Sequence, residues 1–340
     1  MPRSDPLRAP TQRAPSAPVE VVALGESMAM VTPAGPAPLE HAEHLVVRVG
    51  GAESNVAMYL ADLGHRAAWV SRLGDDPFGR LVRRLVSSAG VNCSAVATDG
   101  VAPTGVYFKD PDPAGTRVYY YRAGSAGSRL DATVLDHPVL ARARVLHLSG
   151  ITPALSPTCR ELVERALYAR PVEHARISFD VNFRPTLWTD DAGSTLQKLA
   201  NAADLVFVGR DEAETLWGVS ELPSIRRLLP DPEVIVVKDG PVGASAMTGD
   251  GTTVFEPALR VELVEPVGAG DAFAAGYLSA ALRGLDLSQR LRMGHLVAAH
   301  ALTVTADHTT LPGRPWFDER LAATAQEWSA MTFPAACADG

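Results

Sequence analysis

From residue 19 onward, short apolar runs that end in Gly or Asp alternate with stretches whose apolar residues recur every three or four positions. That is the texture of parallel βαβ units. The pattern predicts strands at 19–24, 67–72, 145–148, 177–180, 205–208 and 234–237, and helices at 54–63, 78–89, 157–167, 196–202, 212–217 and 271–283. Alternating strands and helices imply an α/β fold: a doubly wound, mostly parallel sheet with helices on both faces. Two stretches break this rhythm. Residues 45–49, and 105–108 paired with 117–121, alternate apolar and polar positions as antiparallel strands do. They predict a small antiparallel β lid inserted in the main domain, with lid segments near 28–49 and 104–122. The Pro, Asp and Gly content of 110–115 suits a hairpin loop there. Tyr119, Tyr120 and Tyr121 cannot all face one side of a strand, so at least one is expected to pack within the lid. The expected domain plan is a disordered Pro-rich leader at 1–18, a main domain at 19–315, and a C-terminal helix and tail at 316–340.

Composition narrows the classes of function. A chain of 340 residues, 46% hydrophobic and 21% charged, can bury one large core. A formal net charge of -8 leaves no bulk basic field for nucleic acid or an anionic membrane surface, so any anionic ligand must be held by local groups. The first residues lack the apolar stretch of a signal peptide, and no window offers 18 uninterrupted apolar residues. Cys93, Cys159 and Cys337 are far apart with no CxxC pair and read as reduced thiols. A cytoplasmic enzyme is the expectation. The nine histidines form no metal set: His41 and His44 flank a lid strand, and His295 and His300 lie five apart on one late helix, the wrong spacing for a shared face.

The richest segment for chemistry is VGAGDAFAAG at 267–276, which runs from a glycine turn into a helix. Gly268, Ala269 and Gly270 would expose successive backbone N–H groups at a helix N-terminus, where the dipole also favours negative charge. Asp271 would then lie beside a bound phosphoryl group, placed to accept a proton from a hydroxyl. A plainer role is also open, in which Asp271 caps the helix and the glycines only permit the turn. Residues 268–273 are not GxGxxG, because Phe273 stands where the third glycine should be. Residues 74–81 have the glycine spacing of a Walker A but carry Arg80 and Leu81 in place of Lys and Ser or Thr, so they are no P-loop. Gly50 and Gly51, followed by Asn55, would let a small ligand approach the backbone and meet a side chain that both donates and accepts. A turn with Asn55 in a capping role is the alternative.

The GGAxxN opening at 50–55, GDDPFG at 74–79 and GAGDAFAAGY at 268–277 occur in the order seen in ribokinase-like, PfkB-type carbohydrate kinases, which the chain resembles from about 19 to 312. Within that family it is most similar to the 2-keto-3-deoxygluconate kinases, through GVY at 105–107, RVYYYRAGSAGS at 117–128, LSGIT at 148–152 and DVNFRPTLW at 180–188. The resemblance implies ATP-dependent transfer of a phosphoryl group to the 6-hydroxyl of that sugar acid, with Gly268, Ala269 and Gly270 as anion hole and Asp271 as catalytic base. It implies sugar contacts from Gly50, Gly51, Asn55, Tyr107, Tyr120, Arg122, Ile151, Arg184, Asp271 and Asp307. For the arginines the chemistry agrees, since a guanidinium fork matches a carboxylate, although structural salt bridges would use the same residues. It further implies an ATP site at Lys238, Gly240, Gly243, Gly268 and Gly270, although Lys238 read alone could be an exposed residue at a strand end. Glu212 matches the glutamate of the family's NxxE motif, which organises Mg²⁺ through water; the Asn is absent here, where the stretch reads GRDE at 209–212. A monovalent cation completes the cofactors, ATP and Mg²⁺, while the alternating lid strands at 45–49 and 105–121 leave an exposed sheet that needs a covering partner and so predict a homo-oligomer formed through the lid. A fructokinase or another sugar kinase of the family would share Asp271 but have no use for two carboxylate-binding arginines. A non-catalytic sugar-binding protein is the remote alternative.

Overall fold

The computed structural model describes residues 18–35, 37–112, 115–188 and 191–335. The chain opens with β1 (Val21–Leu24), passes through two strands, β2 (Met28–Pro33) and β3 (Leu45–Gly50), and enters α1 (Ala52–Asp62). Next come β4 (Ala67–Gly74), α2 (Pro77–Ser88), β5 (Val96–Asp99), and a hairpin of β6 (Val106–Asp110) and β7 (Arg117–Tyr121). The middle of the chain alternates: β8 (Val145–Ser149), α3 (Pro157–Tyr168), β9 (Arg176–Asp180), α4 (Ala192–Asn201), β10 (Leu205–Gly209), α5 (Arg210–Trp217), α6 (Leu222–Leu228) and β11 (Val234–Asp239). It closes with β12 (Gly243–Thr248), β13 (Thr253–Pro257), β14 (Arg260–Val261), the long α7 (Ala269–Leu282) and α8 (Leu287–Leu302), α9 (Arg314–Leu321), α10 (Ala325–Ala330) and β15 (Thr332–Phe333).

Nine strands form one sheet in the order β13-β12-β11-β10-β9-β8-β1-β4-β5, parallel from β5 to β11 and antiparallel at the β12 and β13 edge. Alternation along a strand sends neighbouring side chains to opposite faces. In β1, Val21 and Ala23 join the core built with α1, α2, α7 and α8, whereas Val22 and Leu24 join the core built with α3 to α6. A strand buried on both faces must be apolar throughout, which is why VVAL reads as an uninterrupted run. Helix starts are encoded locally: Asp76 accepts from Gly79 N at 2.7 Å ahead of Pro77, and Ser156 caps α3 ahead of Pro157.

A separate four-stranded sheet, ordered β3-β2-β6-β7, forms the lid. Its register places Arg48, Met30, Tyr107 and Tyr120 in one row, and Val47, Val31, Phe108 and Tyr119 in the next, on the other face. Tyr107 and Met30 pack with Met28 inside, while Tyr121 and Tyr119 are exposed, so the three tyrosines divide between the faces. The central strand β2 escapes an alternation test because MAMVTP is buried along its whole length. In the hairpin loop, residues 113 and 114 lie outside the described residues, as do Cys337 and nearly all of the expected leader at 1–18, apart from Pro18. The C-terminal segment is tied to the main domain, since β15 pairs with β14 and the Trp328 indole donates to Pro257 O at 2.9 Å.

Candidate active site

The Gly-rich turn leads into α7 as expected. Gly268 adopts φ +90°, a conformation that glycine tolerates best, and a Cβ there would lie 2.9 Å from the Asp307 carbonyl oxygen. The helix begins at Ala269, so the first-turn N–H groups have no intrahelical acceptors. Ala269 N is already partly engaged, at 3.3 Å from Pro266 O, which leaves the later N–H groups of the turn as the better anion donors. The Asp271 carboxylate is held by other elements of the fold. Its Oδ2 accepts from Asn55 Nδ2 at 2.8 Å and its Oδ1 from Asn182 Nδ2 at 3.5 Å, so α1 and the end of β9 aim the carboxylate from two sides. Burial pushes the Asp271 carboxyl up to about 7, helped by Asp180 and Asp307 and opposed by the Asn55 bond and Arg184.

All ten residues expected to contact a sugar line one cleft: Gly50, Gly51, Asn55, Tyr107, Tyr120, Arg122, Ile151, Arg184, Asp271 and Asp307. Gly268 lines it as well. The paired glycines are explained by space: a Cβ on Gly50 would lie 1.8 Å from the Tyr107 hydroxyl, and one on Gly51 2.5 Å from Ser27 Oγ. The Asn55 Oδ1 is buried with no partner among the described residues, an acceptor facing a cleft whose natural complement is a hydroxyl donor. Tyr107 donates to Asp307 Oδ2 at 2.6 Å and is inclined against Tyr120, whose ring lies 5.8 Å from the Arg122 guanidinium.

The two arginines differ. Arg122 is half-buried and ion-paired with Glu26, its Nε donating to Glu26 Oε2 at 2.8 Å. Its charge is therefore largely matched within the protein. Arg184 is exposed at the cleft, and among the described residues no carboxylate lies within ion-pair distance of it. Glu26, Asn182, Met28, Thr186 and Leu187 also line the cleft and were not expected. Glu26 could have been found as a carboxylate two residues beyond the end of β1, where open α/β sheets bind ligands. Asn182 sits two residues past β9 at φ +39°, a strained backbone for a non-glycine residue.

The residues expected at the nucleotide are more dispersed. Lys238 is not an exposed strand-end residue: its Nζ bonds Asp180 at 3.0 and 3.1 Å, and a Cβ on Gly270 would stand 3.5 Å away, so the ammonium lies beneath the turn. Burial pulls that ammonium down, but Asp180 and Glu212 more than offset it and hold it above its ordinary value. Gly240 and Gly243 lie on the β11–β12 hairpin, apart from the residues that line the cleft; Gly243 is also required by packing, since a Cβ would lie 2.4 Å from Glu256 O. Glu212 closes the N-terminus of α5, accepting from Gly209 N at 2.7 Å and Phe183 N at 2.8 Å. Burial pushes its carboxyl up against the pull of Lys238. No group of three or more His, Cys, Asp or Glu among the described residues could hold a metal ion. Mg²⁺ here would be carried mainly by nucleotide phosphates, with Glu212 reaching it only through water.

A family model described as pfkB family carbohydrate kinase matches residues 19–314. The chain is 33% identical over 313 residues to the 2-dehydro-3-deoxygluconokinase of Thermoproteus tenax, covering 90% of this chain and 95% of that one. The crystal structure of a PfkB protein from Polaromonas sp. JS666 superposes with a TM-score of 0.79 at 34% identity, covering 90% of this chain and all of that one, 100%. A sugar kinase from Pyrococcus horikoshii in complex with ATP has a TM-score of 0.76 at 24% identity, with 90% and 99% covered, and shares the fold.

Proposed function

The chain belongs to the pfkB family of carbohydrate kinases, and from that membership we propose that it phosphorylates 2-keto-3-deoxygluconate (2-dehydro-3-deoxygluconate) on its 6-hydroxyl, using ATP. The observation that carries this reading is the exposed guanidinium of Arg184, which among the described residues has no carboxylate within ion-pair distance and lines the same cleft as Asp271, because the cleft then offers a sugar carboxylate a cation and the reacting hydroxyl a base. The sugar 6-oxygen attacks the γ-phosphorus, the bond from that phosphorus to the β-bridging oxygen breaks, and the hydroxyl proton passes to Asp271. Asn55 and Asn182 hold the Asp271 carboxylate toward the cleft, while the N–H groups of the α7 first turn face the charge on the transferring phosphoryl. Mg²⁺ would supply neutralisation of the phosphate charge. A monovalent cation belongs to this reading only if potassium raises turnover. No helix among the described residues is long and apolar enough to cross a membrane, and we place the enzyme in the cytoplasm, assembled as a homo-oligomer through its lid.

The test is ADP release from Mg-ATP with 2-keto-3-deoxygluconate, its galactonate epimer, fructose, ribose and adenosine, measured for the wild type, Arg184→Ala and Arg122→Ala. A hydrogen bond to a charged group contributes about 1.5–3 kcal/mol, so Arg184→Ala should lower kcat/KM for the acid sugars by at least about tenfold and for fructose far less. Arg122→Ala, which also strands Glu26, should depress acid and neutral sugars together. Equal losses on both classes with Arg184→Ala would hand the site to a neutral hexose.

A further inference from the structure

The lid carries a charged residue that the sugar-binding reading leaves unused. Lys109 lies on β6 two positions after Tyr107, so both project from the same face of the lid sheet. Its side chain is almost completely buried, at 1% exposure, which is rare for lysine and demands partners. Those partners belong to the main domain. Lys109 Nζ donates to Asp307 Oδ1 at 2.6 Å and to Thr305 O at 3.4 Å, and lies 3.7 Å from Glu265 Oε2.

Both carboxylates lead to the same place. Glu265 accepts from Val267 N at 3.1 Å through its other oxygen, which fixes the chain immediately before Gly268. The Asp307 backbone is what Gly268 packs on, at 2.9 Å from a Cβ built there. One lid ammonium therefore braces the Val267–Gly268 turn from two sides, and Thr116 Oγ1, from the loop leading into β7, adds a bond to Glu265 at 2.9 Å. Without the ammonium, two buried carboxylates would keep their neutral donors, Tyr107 for Asp307 and Val267 N and Thr116 for Glu265, but lose the cation they share, a costly arrangement that relaxes by moving one of them.

We propose that Lys109 is a positioning residue: the lid, through this ammonium, sets the geometry of the turn whose N–H groups receive the transferring phosphoryl. The proposal rests on the reading of that turn as the anion hole and does not depend on which sugar is bound. A misplacement of about 1 Å at reacting atoms can cost about a hundredfold in rate, so Lys109→Met should lower kcat by about tenfold to a hundredfold while the sugar KM changes by less than about threefold. In Lys109→Ala, which empties the side chain's place, ammonium chloride should raise kcat several-fold by refilling the cavity, and tetramethylammonium chloride at equal ionic strength should not, being too large to enter. Glu265→Gln, which keeps the bond between Lys109 and Asp307, should lower kcat in the same direction, and it decides the matter if Lys109→Met does not fold.

The measurements are made on whichever sugar the wild-type chain turns over best, or on its slow hydrolysis of ATP by water if it accepts no sugar. A wild type active only on fructose would thus remove the proposed substrate and leave this test intact. Retention of kcat within about twofold in a folded Lys109→Met protein, a loss confined to KM, or equal rescue by both salts would each overturn the role of Lys109. Unchanged kcat in Glu265→Gln would do the same.

Discussion

At neutral pH the Asp271 carboxyl, pushed up to about 7 chiefly by burial, divides between its two forms, and only the ionised form can accept a proton. Log kcat/KM should therefore climb with unit slope from pH 5 and level near 7, and Asp271→Asn should lose about 10²- to 10⁴-fold in kcat with little change in sugar binding. The same shift fixes a sign for stability. A folded value above the ordinary 3.8 means that the fold favours the protonated form, a contribution fully present below about 4 and lost as pH rises to about 7. Asp271→Asn should consequently gain in melting temperature over the wild type as pH goes from 4 to 7, with no further gain above it. A gap that widened toward acid would show that Asp271 is instead stabilised as an anion. At this scale the chain is unevenly legible. Asp271 can be found because its turn, helix and carboxylate are adjacent in sequence, whereas Glu26 and Asn182 matter because β1 and β9 end side by side around Ser149 and β8, a relation that no local pattern contains.

Elements were legible wherever one periodicity ruled. The six strands expected from the apolar runs all form within the large sheet, and the six helices all form, with α4 opening four residues earlier than its apolar spacing suggests, at Ala192 instead of 196. What escaped includes β2, apolar on both faces although its segment was placed in the lid, the β12–β13 hairpin, whose small residues in GASAMT give no alternation, and the short β5 and α6. α7 and α8 show why small residues accumulate where they do. A Cβ on Gly276 would lie 2.4 Å from the Met293 carbonyl oxygen, so the two helices touch backbone to backbone at that point. Gly276→Ala should gain about 1 kcal/mol of helix propensity but lose about 1–3 kcal/mol to overpacking against a carbonyl that cannot move aside. Net destabilisation, seen as a melting temperature a few degrees lower, is the expected result. Because Asp271 lies five residues earlier on the same helix, kcat should fall with it; a more stable Gly276→Ala protein would mean that the helices separate freely.

For the molecule as a whole, the lid faces two ways. Its inner face delivers Tyr107, Tyr120 and Lys109 to the cleft and the turn, while its outer face carries Leu45, Val47, Phe108, Tyr119 and Tyr121. On that outer face Leu45 is 49% exposed on one edge strand, and Tyr119 45% and Tyr121 68% on the other, with Val47, Val31 and Phe108 in the row that joins the two edges, on a sheet whose other side is already committed. Scattered apolar residues on a surface require no partner, but a contiguous set on one sheet face marks an interaction site, and a second copy of the same lid offers a self-complementary surface with two-fold symmetry. Light scattering at micromolar concentration should therefore report twice the chain mass. Tyr121→Glu, placing a charge at the most exposed of these positions, should shift the protein toward monomer, because burying a carboxylate in such an interface costs its desolvation. Pairing two lids would also hold each inner face over its own cleft, so the monomeric variant should bind sugar more weakly, with a raised KM and a kcat that falls less. A wild-type chain that scatters as a monomer throughout that concentration range would remove both expectations and leave the outer tyrosines as packing for Phe108 alone.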